Sequence, residues 1–498
     1  LYNYLGSCVY FYTIKDAIVL NKCMSSINTR VVANYQTAEY GKFVELTNNT
    51  EFPAVSVTRF NSTNQAGMLP VSSVEIFPKY AVITYDSRLG TANSLPFGDN
   101  GSTDAFGKLR VSEPRTLLDS KFITGKSPYT FDELLSGTAT STFIDGDSLV
   151  QLSTTSVNDF AIRQTYTHFN YQPGKSIQAL FTGLFIPETN IIKRIGLFQS
   201  SSAIPYLPYD GIYLESSNDT ISFHTHKTEG TALHLSAARA DWNVDKLDGT
   251  GSSGLTIDFT KAQIITIDYE WLGLGRVRCG FVLGGKIYYV HYFDNINSLT
   301  QPYISSPNHP VRYEIRQTGP GSGSLKHICS TVIIEGGEEN VGTSLTTELS
   351  AGITVDTVMR PLLAIRLNPQ SVDLVAIIKN INFYNTGNAP IHYKLIMNPT
   401  ITGGTLNSYR SVDGFTDVQH VPGSATLSLS GGFEMVGGYV PNGNSAVSVG
   451  SNSQAIGGEL ARLGSKINGD PVVFVVAART LAGTANSIYT TANLELRA

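Results

Sequence analysis

Two runs of strand-forming residues meet at Gly284-Gly285: Arg276–Leu283 before it and Lys286–Phe293 after it. This link constrains the chain more than any other feature. Both glycines can take the positive φ of a tight hairpin turn, so the flanking runs must pair antiparallel. Alternation puts Ile287, Tyr289, His291 and Phe293 on one face of the second strand, and Tyr288, Val290 and Tyr292 on the other. Large side chains on both faces imply a strand inside a layered sandwich, its outer face covered or ligand-facing.

The same grammar runs from about residue 30 to the end: short alternating stretches between turn residues, the signature of an all-β chain. Composition agrees. Charged residues are 15% of the chain, below the ~25% usual in soluble proteins, while mean hydropathy is −0.02. Polarity therefore comes from Ser, Thr, Asn and Gly, which disfavour helix interiors and supply turns. The 25 Tyr and 23 Phe add strand formers. No apolar run reaches the ~18 residues of a membrane helix. A net charge of −5 offers no global field for nucleic acid. The four Cys are too few for a disulfide framework in so long a chain. The expectations are no membrane insertion, no nucleic-acid partner and no cofactor.

Turn-rich stretches divide the chain. Gly98-Asp-Asn-Gly-Ser102 and Thr318–Ser324 read as linkers. The expected organisation is an N-terminal β module over 24–103, a central sandwich over 104–325 and a C-terminal β-sandwich over 326–498. Breaks fall near 99–103 and 318–330. Glu459–Leu463 is the best helical candidate, barely one turn long. Residues 1–23 lack the basic start of a signal peptide, and Lys15-Asp16 interrupts their apolar run. Translation from Met24, with 1–23 as upstream read-through, is the preferred expectation; a chain cut from a precursor is the alternative.

Two passages carry a resemblance. One is Asp104-Ala-Phe-Gly-Lys-Leu-Arg-Val-Ser-Glu-Pro114; the other is Ile267-Asp-Tyr-Glu-Trp-Leu-Gly-Leu-Gly-Arg-Val-Arg-Cys-Gly-Phe-Val282, continuing to Pro310-Val-Arg-Tyr-Glu-Ile315. They resemble a family of virion structural proteins of large tailed phages and related viruses, whose members share "DAFGRLRVS" and "WLGxGRVRxGF". Lys108 stands where the family has Arg. The resemblance covers about 104–320 and is looser from 360 onward. It implies a concanavalin/laminin-G-like sandwich in a virus particle, and the expected fold of the whole chain is an all-β, multi-module β-sandwich/jelly-roll with that sandwich at its centre. It also implies partners among further copies of the chain and other virion proteins. It brings no catalytic residues.

The sandwich fold also hosts glycosidases, which need paired carboxylates. Thr266, Asp268 and Glu270 share a strand face, but Thr266 stands where a nucleophilic carboxylate would be required. Asp268 and Glu270 then read as rim or turn residues, with Arg276 or Arg278 pairing to them in solvent. His224-x-His226 could begin a metal site, with His234 the nearest third ligand, but the spacing fits no zinc pattern; two exposed strand histidines are the plainer reading. Cys329 and His327 lack a third member for nucleophilic catalysis, so Cys279 and Cys329 read as small core residues. Gly273-x-Gly275 precedes a strand rather than a helix, outside the dinucleotide-binding context. Catalytic and metal residues are therefore expected to be absent. The rival to particle assembly is carbohydrate binding, as a host-attachment module. Tyr206, Tyr209 and Asp210, in Ile204–Gly211, and Trp242 are the candidate sugar platform.

Overall fold

The computed structural model describes residues 103–497 apart from 106, 109, 337–341, 348–350 and 451–460, together with a few short strands before residue 103. The chain divides into two compact units, 1–97 and 98–498. In the first, Ser7–Ile14 pairs with Ala17–Lys22, Asn28–Arg30 with Glu45–Thr47 and Ala54–Ser56 with Val74–Ile76, all antiparallel. The rest of the expected N-terminal β module lies outside the described residues.

The second unit holds two β-sandwiches, and its described residues contain no α-helix; short 3-10 turns occur at Asp145–Asp147 and Arg239–Asp241. In the first sandwich one sheet has seven strands. They run, edge to edge, as Leu233–Ala238, Thr220–Lys227, Pro208–Ser217, Ile191–Ser200, Val311–Gln317, Phe160–Thr165 and Phe131–Leu135. The facing sheet runs Thr140–Ile144, Leu149–Thr154, Gly323–Ile334, Ile177–Leu184, Gln263–Tyr269, Val277–Leu283 and Lys286–Phe293, and Arg115–Lys121 adds an eighth strand against Gly323–Ile334. Alternate residues such as Ile195, Leu197, Ile212, Phe223, Ile265, Ile267, Phe281 and Ile315 fill the space between the sheets. Strand alternation places every second side chain in that layer, which is why the sequence reads with period two.

Gly284 and Gly285 do turn with positive φ, +57° and +78°. The face assignment after them needs correction. A bulge between Cys279 and Gly280 leaves Val290 without a partner in register, so Cys279 faces His291 while Gly280 faces Tyr289. The bulge re-aims Tyr289 to the outer face of the sheet, where Arg278 and Asp268 lie opposite each other.

The boundary at 325/326 also moves. Thr318–Ser324 is the loop that crosses between the sheets, from Val311–Gln317 to Gly323–Ile334, and the latter is an interior strand of the first sandwich. Gly and Pro mark a turn inside the module there rather than a linker between modules. The second sandwich begins with Thr343–Thr346. One sheet orders Thr343–Thr346, Asn486–Arg497, Val375–Asn385 and Ser445–Val449, with short additions at Ile353–Val355 and Ala461–Arg462. The other orders Arg410–Val412, Phe415–Pro422, Arg360–Leu367, Phe474–Thr480, Ile391–Met397 and Phe433–Val440. The expected helical turn at Glu459–Leu463 is not formed where described: Ala461–Arg462 is a strand paired with Ile377 and Ile378. The two sandwiches touch where Ile467 packs on Phe160 and Ile162. The Ile467 amide donates to Asp132 Oδ2 at 2.9 Å, and that of Ser465 to the Tyr166 carbonyl at 2.9 Å.

Candidate functional site

The two passages that carry the family resemblance, more than 150 residues apart, meet at one place. Thr266, Asp268 and Glu270 stand on the outer face of the eight-stranded sheet and are fully buried rather than on a rim. The segment holding Thr103–Arg110 provides their partners. Asp268 accepts from Arg110 Nη2 at 2.6 Å, from Arg278 Nε at 3.1 Å, from Ser176 Oγ at 2.6 Å and from Tyr289 Oη at 2.7 Å. A second nitrogen of Arg278 donates both to Asp268 and to the Thr103 carbonyl. Arg110 spans Asp268 and Glu335, and the Arg278 guanidinium lies over the Tyr289 ring at 4.2 Å. Burial alone would raise the Asp268 pKa. Arg278, Arg110 and the Ser176 and Tyr289 hydroxyls overcome it and hold the carboxyl below its ordinary range.

Glu270 behaves oppositely. Burial, and then the neighbouring Asp104 carboxyl, push it up to about 8, against a weaker pull from Lys108 Nζ at 3.8 Å. A raised carboxyl is what a general acid needs. Here it faces no open space, and the partner position is a buried Thr266 hydroxyl. The expected solvated pairs are likewise corrected. Arg278 is fully buried against Asp268, and Arg276 pairs with Asp294 instead, at 2.6 Å.

The candidate sugar residues separate. Trp242 is core: 3% exposed, it packs on Phe223 and Phe281 and donates from Nε1 to the Ala237 carbonyl at 3.2 Å. Asp210 is also buried. It ties down the 305–309 loop by accepting from the Ser305 and Ser306 amides at 2.8 and 2.9 Å, with His309 Nε2 at 3.3 Å. Neither can present a group to a sugar. Tyr206 and Tyr209 are half-buried. The Tyr206 ring meets Phe160 edge-on, and its carbonyl caps Arg312 and Arg316 at 3.0 and 2.7 Å. Those arginines and Arg194 converge on Glu314. Glu314 therefore stays far below the ordinary carboxylate range although burial pushes the other way. No four-residue platform forms.

The histidines form a stack, not an exposed pair. His224 is buried under Tyr213, and its Nδ1 lies 2.9 Å from His234 Nε2. The ring centres of His224 and His226 lie 5.1 and 4.6 Å from that of His234. Face-to-face rings do not aim three lone pairs at one point, and no metal-holding cluster of His, Cys, Asp or Glu exists among the described residues. Burial, His234 and Arg194 lower the His224 and His226 pKa values to about 3 and about 4. Cys279 is buried as expected; Cys329 is half-buried, and His327 binds Ser330 Oγ at 2.9 Å and stacks on Tyr313.

Beside this stack lies an open groove of about 550 Å³, where both sheets of the first sandwich end. His234 and Ser236 line it from one edge strand, and His291 and Tyr292 from the other; Asn243 and Asp294 complete it. The walls are held in place. The Asn243 side chain donates to the Tyr292 carbonyl and accepts from the Tyr292 amide, both at 2.9 Å, and Asp294 is fixed by Arg276. Sequence reasoning passed over Asn243 and Tyr292, because the edges they join are brought together only by the closed sandwich.

No family profile and no curated protein sequence matches the chain. Solved structures do. The carbohydrate recognition domain of Emp47p is 11% identical, covering 43% of this chain and 93% of that one at a TM-score of 0.29. A legume lectin-like domain from Entamoeba histolytica is 10% identical, covering 44% and 98%, TM-score 0.28. A Bacillus licheniformis β-glucanase is 9% identical, covering 43% and 97%, TM-score 0.29. Likenesses this distant carry no inference to ligand or activity.

Proposed function

We propose that this chain is a non-catalytic glycan-binding protein, serving as a host-attachment module of a virus particle. The open groove between His234, Ser236, Asn243, His291, Tyr292 and Asp294 supports the reading most directly. Its wall offers imidazole, hydroxyl, amide and carboxylate groups beside an aromatic ring. Sugars present hydroxyls and apolar ring faces together, and a few fixed polar groups around an apolar surface suit them. The carboxylates that could have hydrolysed a glycan are sealed, and Asp268 is spent on two arginines. The test is a glycan array with the full chain and its Tyr292→Ala variant, run beside an assay for sugar release. Saturable binding weakened in the variant, with no release, is expected.

One observation favours a second reading, a building block of the particle that assembles with further copies and other virion proteins. Both passages that resemble virion structural proteins are spent on the buried Asp268–Arg110–Arg278 lock. Motif residues used this way specify a scaffold. Mass spectrometry of purified particles tests it: many copies per particle support assembly, and absence from the particle removes both virion roles.

A further inference from the structure

The second sandwich carries a surface unlike the rest of the molecule. On the outer face of its first sheet, Val375–Asn385 and Asn486–Arg497 pair with Asn380 opposite Asn493, Asn382 opposite Thr491 and Tyr384 opposite Tyr489. These three rungs follow one another along the two strands. At ~3.3 Å per residue they span about 13 Å. Both tyrosines are 41% exposed, with ring centres 6.3 Å apart. The amides orient one another: Thr346 Oγ1 donates to Asn493 Oδ1 at 3.0 Å, Asn493 Nδ2 to Asn380 Oδ1 at 2.8 Å and Asn382 Nδ2 to Thr491 Oγ1 at 3.2 Å. Ser448 extends the middle rung on the neighbouring strand.

Two glycines let neighbouring backbone pass close against the rungs without a side chain in the way. A Cβ on Gly352 would lie 2.2 Å from Ser487 Oγ and 2.9 Å from the Tyr489 ring, and one on Gly450 would lie 2.4 Å from Asn380 Cβ. The rungs hold no charged side chain. The charges of this sheet gather at one end, where Lys379 and Arg497 both pair with Glu495.

We propose that this face is a second binding site, for a neutral oligosaccharide lying along the rungs. The tyrosine pair takes the C–H face of one sugar ring, and the Asn382–Thr491 and Asn380–Asn493 rungs take hydroxyls of the rings that follow. The absence of charge across the rungs disfavours nucleic acid and sulfated or sialylated glycans, which need cations. A subunit contact of stable size has a buried centre of about 65% apolar area, and only the tyrosine pair supplies apolar area here. The site is separate from the groove of the first sandwich, so either can fail without the other.

The experiment titrates the full chain with cellohexaose, laminarihexaose, chitohexaose and mannohexaose, with a heparin hexasaccharide as the charged control. Wild type is compared with Tyr384→Ala, Tyr489→Ala, Asn382→Ala and the groove variant Tyr292→Ala, alongside solution mass. A saturable component of neutral-hexasaccharide binding that persists when the groove carries Tyr292→Ala, and that each of Tyr384→Ala and Tyr489→Ala weakens about tenfold, is the expected result. Tyr384→Phe, which keeps the ring, should retain most of the affinity and guards against a folding artefact. Binding of none of the four, binding indifferent to Tyr384 and Tyr489, or preference for heparin overturns the proposal. So does a drop in oligomer mass on tyrosine substitution, which would make the face a subunit contact.

Discussion

Substituting Asp268 by Asn separates a structural lock from a catalytic group. Asp268 is fully buried and accepts from Arg110, Arg278, Ser176 and Tyr289. An amide keeps the shape, removes the charge and turns one acceptor oxygen into a donor. Arg110 retains Glu335. Arg278 keeps the Thr103 carbonyl and hydroxyl and the Tyr289 ring but loses the Asp268 carboxylate charge it is buried against. Removing one partner of a buried pair costs about 3–5 kcal/mol. For a module of this size, 2–4 °C per kcal/mol gives a fall in Tm of roughly 6–20 °C. Urea unfolding followed by tryptophan fluorescence measures it, since Trp242 and Trp271 both belong to the first sandwich. A double-mutant cycle with Arg110→Met should show a coupling of about 1–3 kcal/mol. A loss below about 1 kcal/mol, or an unchanged stability with loss of a hydrolytic activity, would refute the reasoning.

Glu270→Gln should act with the opposite pH dependence. Burial and Asp104 hold the folded carboxyl protonated up to about 8, whereas the unfolded chain ionises near 4.5, so wild-type stability falls as pH rises between those values. The variant should gain on wild type across that window, by about 1.4 kcal/mol per pH unit at most, read from urea midpoints at several pH values. The histidine stack gives an acid limb. His224 and His226 titrate at about 3 and about 4 when folded and near 6.5 when unfolded, so stability present above about pH 6.5 is lost as pH falls toward 4. His224→Phe should flatten that limb. Limited proteolysis should cut between the two units, near residues 98–102, and leave the two sandwiches as one fragment; early cuts inside Gly323–Ile334 would contradict its place as an interior strand.

Period-two patterning and turn chemistry made the architecture legible. The Gly284-Gly285 hairpin was fixed by residues beside one another. Features that depend on distant partners were not. The spacing of Asp268 and Glu270 was visible, but their burial depends on a segment around Asp104 and Arg110 that no local pattern connects to them. The bulge that re-aims Tyr289 leaves no composition signal in Arg276–Leu283. Thr318–Ser324 reads as a linker because Gly and Pro serve turns within modules and breaks between them alike. Trp242 beside Asp241 and Asn243 looked like an exposed loop aromatic, yet the open end of the sandwich buries it against Phe223 and Phe281. Tyr384 and Tyr489 become a pair only once strands about a hundred residues apart are in register.

The measurement that bears most directly on the central claim is binding of the intact chain to a glycan array, with reducing-sugar release recorded on the same ligands. The account predicts saturable binding, weakened by Tyr292→Ala in the groove, and no release from any bound glycan at any pH between about 4 and 9, a window that spans both states of Glu270. Release of sugar that disappears in Glu270→Gln, or no saturable binding to any glycan, would contradict it.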